Sequence, residues 1–144
     1  MIILLRVALA FLLLGAVIAR AQDASSNPEA QARSFLVPCT AGTQQDCRKS
    51  QESFVRLYVG AMSGDFLSAL AVAVLFDPAS NPGTTGVQRS PVQACAWWML
   101  LALTTSENPN YVAFALHHCS PLSSADRASA RRRLEEIVAE LRTP

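Results

Sequence analysis

The sequence predicts an all-α fold of about five helices arranged as antiparallel hairpins. Three observations predict it. From residue 54 to residue 141 apolar residues recur at helical spacing, and nothing reads as strand. Helix starts are marked by Asp65, by Ser90-Pro91, by Asn108-Pro109 and by Ser123. Breakers gather between the periodic segments, most clearly in 77–90, which carries Pro78, Asn81, Pro82, Gly83 and Gly86.

The chain has 144 residues, room for one domain. Its 51% hydrophobic content is concentrated in residues 1–21, where only Arg6, Gly15 and Arg20 are not apolar. Residues 7–19 form an apolar run that ends in Ala19-Arg20-Ala21, the layout of a cleaved secretory signal. A competing reading is an uncleaved anchor, with residues 2–5 lengthening the run. Cleavage after Ala21 leaves an exported chain, periplasmic or secreted, with no later apolar segment long enough to span a membrane. Removing Arg6 and Arg20 from the twelve basic residues leaves ten against eleven acidic ones. That balance argues against nucleic acid as a partner.

Residues 22–48 read as a loose leader with Asn27-Pro28 as a short helix start and a Cys39 to Cys47 loop. The helical domain, 49–144, follows. Its first helix spans about 49–62, with Phe54, Leu57, Tyr58 and Ala61 on one face. Ser63-Gly64-Asp65 turns the chain, and Asp65 caps a helix over 66–76 that faces inward with Phe66, Ala69, Leu70 and Ala73. A third runs over about 91–103, with Val92, Cys95, Ala96, Met99 and Leu103 on one stripe. A fourth starts at Asn108-Pro109, carries Val112, Ala115, Leu116 and Cys119 on its stripe, and stops at Ser120-Pro121. Ser123 and Asp126 have capping-box spacing for the last helix, which turns Leu134, Ile137, Val138 and Leu141 to the core.

Four cysteines in an exported chain predict two disulfides, and four allow three pairings. The turn after the third helix centres near Ser106 and Glu107, and Cys95 and Cys119 stand about equally far from it. Two such residues come level in an antiparallel pair, so Cys95–Cys119 is expected, leaving Cys39–Cys47 to close a small loop.

Gly64-Asp65, Ala69-x-Ala71, and the run from Gly86-Val87 through Arg89-Ser90-Pro91-Val92-Gln93-Ala94 to Ala96-Trp97, then Ala102, resemble one Sel1-like repeat, a relative of the tetratricopeptide repeat. The segment after Cys119 is similar to the C-terminal part of small exported Sel1-like proteins. The resemblance implies paired helices in a protein that binds other proteins. A lone repeat needs cover for its faces, and the flanking helices and disulfides supply it here.

No motif assigns a cofactor or a metal. His117 and His118 precede Cys119, but adjacent helical residues diverge and cannot readily hold one ion together. There is no H-E-x-x-H, no C-x-x-C and no G-x-S-x-G. Histidine at a helix end also complements the helix dipole. The leading expectation is therefore a non-catalytic interaction module with an unidentified protein partner. Candidate contacts are Trp98, Tyr111 and the Arg131, Arg132 and Arg133 face, and Phe35, Leu36 and Val37 have two readings, a further docking place or packing on the core. Trp97 and Trp98 point about 100° apart, so one fills the core and the other lies nearer the surface or against the 77–90 loop. An envelope redox or thiol enzyme using Cys39, Cys47 or the His117-His118-Cys119 cluster, and a secreted inhibitor or immunity-type protein, are the alternatives.

Overall fold

A computed structural model describes residues 27–40, 44–80, 85–105 and 108–143. The expected signal segment and the centre of the turn near residues 106 and 107 lie outside the described residues. Six helices form within them: α1 (Pro28–Ser34), α2 (Gln44–Met62), α3 (Phe66–Phe76), α4 (Pro91–Thr104), α5 (Pro109–Cys119) and α6 (Ser124–Leu141). Each start that the sequence marks is used. Asn27 accepts from the Glu29 and Ala30 amides, Asp65 from Ser68, Ser90 from Gln93, Asn108 from Asn110 and Ser123 from Asp126. Each cap satisfies amides that have no carbonyl partner in a first helical turn. The two hydrogen bonds from Ser68 hold the Asp65 carboxyl below the ordinary carboxylate range.

The helices pack in chain order, α1 on α2, α2 on α3, α3 on α4 and α4 on α5, and α6 returns to lie on α4 and lightly on α2. The five consecutive residues 94–98 of α4 are all buried, so the middle of this helix is covered on every side. Around it an aromatic cluster fills the core. Phe76 meets Phe35 edge-on at 4.9 Å and Phe54 at 5.5 Å, and Tyr58 meets Trp97 edge-on at 5.6 Å. Such pairs add about 0.5–1.5 kcal/mol each beyond the area they bury.

The structure corrects the leader. Residues 28–40 are docked, not loose, and their short helix raises the expected five helices to six. Ala32 is fully buried, and Phe35 and Leu36 pack on the core, which removes them as a docking place. Leu36 also forms an isolated antiparallel bridge with Val87. Val37 N–H donates to the Gly86 carbonyl at 2.9 Å, and Gln88 N–H donates to the Phe35 carbonyl at 2.8 Å. Gln51 Nε2 braces both segments by donating to the Val37 and Gly86 carbonyls at 2.7 and 3.2 Å. Cys47 lies inside α2, which begins at Gln44 and not near residue 49, and it is bonded to Cys39. Composition alone missed this segment, because what orders it is pairing with residues about fifty positions away.

Both disulfides join the expected partners, with Cα–Cα distances of 5.8 Å for Cys39–Cys47 and 5.0 Å for Cys95–Cys119. Removing the second bond with the paired Cys95→Ala and Cys119→Ala substitutions should cost about 3 kcal/mol, read from the urea midpoint. A change below about 0.5 kcal/mol would show that the α4–α5 pair holds without it.

Gly86 is a second point of dependence. Its φ of +67° lies in the left-handed region, and a Cβ there would stand 2.7 Å from Cys47 Sγ and 2.8 Å from Gln51 Cγ. Gly86→Ala should therefore destabilise by about 1–3 kcal/mol, and more than an alanine placed at exposed Gly64, whose neighbourhood is open although its φ is also positive. Equal losses at the two glycines would mean that the backbone angle, and not the crowding against Cys47 and Gln51, sets the cost.

Candidate functional site

Helix α5 packs on α4 along one side, α6 packs on α4 along another, and α5 makes no comparable contact with α6. Between them lies a groove of about 440 Å³. Its floor is Cys95, Met99 and Ala115, with the Cys95–Cys119 disulfide at one end. Val112 and Leu116 form the α5 wall, and Arg127 and Arg131 form the α6 wall. A volume in this range, apolar lining and a few placed polar groups are the attributes of binding sites.

The groove exists because α5 is more apolar than one neighbour can cover. Residues 111–116 are six consecutive apolar residues, yet Ala115 alone is buried in this helix. The stripe read as buried is split. Val112 is 44% exposed and Leu116 65% exposed, while Cys119 is partly buried. Leu103, expected on the inward stripe of α4, is 64% exposed and lies one turn beyond Met99. Val112 and Leu116 share one physical reason: α6 covers α4 but stops short of α5. The six-residue apolar run was the signal in the sequence that a single partner helix would not suffice.

The candidate contacts are not brought together. Trp98 is only 5% exposed, so it offers no contact surface. It stacks on the Phe114 ring at 5.0 Å and on the His118 ring at 5.1 Å, both on α5. Tyr111 is half-buried and meets Phe66 edge-on at 5.4 Å. The three arginines diverge. Arg131 reaches the groove, and Arg132 is exposed and donates to Ser129 Oγ at 2.9 Å.

Arg133 turns inward, with its side chain 13% exposed. It donates to Glu136 Oε2 at 2.9 Å, to Gln31 Oε1 at 3.1 Å and to the Tyr58 hydroxyl. Tyr58 O–H in turn donates to Gln31 Oε1 at 3.0 Å, and Gln31 Nε2 donates to Glu140. Burial works against the Arg133 charge, but Tyr58, Glu136 and Glu140 outweigh it and raise the pKa. Burial likewise raises the Tyr58 hydroxyl, opposed by Arg133. This network ties α1, α2 and α6 together at a wider recess of about 660 Å³, and it is occupied with structural work.

The His117-His118-Cys119 cluster is also dispersed. Cys119 is in a disulfide and His117 is exposed. His118 Nδ1 stands 3.7 Å from Asp77 Oδ1. Asp77 is buried and accepts from Ala79 N–H at 3.1 Å and from the Ser80 hydroxyl at 2.6 Å. Among the described residues no three His, Cys, Asp or Glu side chains converge on a metal position, and all four cysteines are paired. No family model, curated protein or solved structure matches this chain.

Burial lowers the His118 pKa below 6.5, with Asp77 opposing and His117 reinforcing the shift. The unfolded chain therefore takes up this proton first as the pH falls, and stability declines from about pH 6.5 down to the lower folded value. Thermal midpoints should drop between about pH 7 and pH 5, and His118→Phe, which keeps a ring on Trp98, should flatten that drop. An unchanged slope in the variant would assign the pH dependence to other groups.

Proposed function

We propose that this chain is an exported, non-catalytic protein-interaction module stapled by two disulfides. The observation that carries the reading is the open apolar strip between α5 and α6, bordered by Arg127 and Arg131. A contiguous apolar surface kept exposed beside charge is a mark of partner binding. The disulfides fit an oxidising compartment, in keeping with the signal-like first 21 residues. No helix among the described residues is long and apolar enough to cross a membrane. The likeness of 64–102 to a Sel1-like repeat adds support, since consecutive helices α2 to α5 pack neighbour on neighbour.

The test is crosslinking of the tagged protein in its own host, with Leu116→Asp as the paired control. Wild type should capture a discrete partner that the variant loses. Capture that is equal for both proteins, or no capture above background, would overturn the reading.

A further inference from the structure

We infer that the α5–α6 groove receives one amphipathic helical segment of a partner protein, and that this segment carries a carboxylate at the end that meets Arg127 and Arg131. The inference rests on the interaction reading above and names the chemistry of what is bound.

Length comes from the apolar strip. Val112 to Cys119 on α5 is seven residues, or about 10 Å, which is about two turns of helix. Met99, Val112 and Leu116 line that length, so apolar residues at helical spacing on the segment meet apolar residues along it. Small Ala115 and the disulfide leave the floor low, which lets a helix settle between the walls.

The open top selects a helix over a small apolar ligand. A small ligand binds well when most of its surface is enclosed. Here Leu116 is about two-thirds exposed and Val112 nearly half, so an occupant keeps one side in water. An amphipathic helix brings its own polar outer side; an alkyl chain does not.

Charge sets the direction. Arg127 lies near the disulfide end, where one of its amino groups donates to the Ser120 and Leu122 carbonyls. That contact fixes the guanidinium and leaves further N–H donors free. Arg131 stands one turn along α6, and among the described residues it makes neither an ion pair nor a side-chain hydrogen bond. Glu135, a turn further on, does not pair with it. Two unneutralised guanidiniums, one at the disulfide end of the apolar strip and one a turn along its α6 wall, are complementary to a carboxylate, which each can bind through paired hydrogen bonds.

The test is selection from a phage-displayed library of random 16-residue peptides on the purified, disulfide-bonded protein. The expected result is enrichment of peptides with apolar residues at helical spacing and Asp or Glu at one end. Synthetic copies should bind wild type and lose at least about tenfold with Leu116→Asp and with Arg131→Glu, two exposed positions whose variants should keep the wild-type circular dichroism. Selection on Arg131→Glu itself should replace the acid with Lys or Arg. Selected peptides that ignore both substitutions bind elsewhere, which overturns the groove and leaves the interaction reading standing. Enrichment without an acid, or without its reversal, overturns the charge pairing. No selected peptide, together with laurate binding that Leu116→Asp abolishes, assigns the groove to a small amphiphile and overturns the inference. No binding of peptide or laurate overturns it as well.

Discussion

The middle of helix α4 must be covered on every side, and the rest of the fold follows from that requirement. It holds Trp97 and Trp98, the two largest side chains of the protein, on two different faces, with Cys95, Leu100 and Leu101 between them. No single neighbour can shelter all of that surface. The chain supplies α3 before it, α5 after it and α6 on its return. Leaving one such aromatic in water would forfeit several kcal/mol, a large fraction of a small domain's stability. The order of packing is thus set by which helix is free to cover which face. The groove is the place where two of the covers fail to meet.

The other half of the molecule is closed by polar contacts. The 35–37 segment and the 86–88 segment bond to one another, Gln51 braces both, and the Cys39–Cys47 bond holds the same strand-like segment to α2. Arg133 performs the equivalent task for α6, reaching across to Gln31 on α1 and Tyr58 on α2. A buried guanidinium is costly unless its donors are matched, and here Tyr58, Gln31 and Glu136 match its two terminal amino groups, while its Nε is left without an acceptor. The first and last described helices are therefore joined at Gln31, which meets both Arg133 and Glu140 of α6.

Most of the architecture was legible in the sequence because local rules and the fold agree. The five caps, the Pro91 and Pro109 starts, the Gly86 turn and the Cys95–Cys119 pairing each follow from residue type and spacing. Two things were not legible. The docking of 28–40 depends on a bridge to Val87 and on burial of Ala32, neither of which leaves a periodic trace in a segment that short. The exposure of Val112 and Leu116 depends on where α6 comes to rest, and periodicity reports an apolar stripe without reporting how many neighbours it has. The arginine run misled for a related reason. Three consecutive helical residues point in three directions, so Arg131, Arg132 and Arg133 have three different surroundings.

The Cys95–Cys119 bond also limits how the groove can respond to anything placed in it. It pins the C-terminal end of α5 to the first half of α4, and the chain itself tethers the other end of α5 to the end of α4. A rod fastened at both ends to its support cannot swing away like a door. Rolling about its own axis is resisted as well, because the same bond holds the Cys119 face of α5 against Cys95 and the Phe114 ring is stacked on Trp98. The wall of the groove is thus a fixed rail.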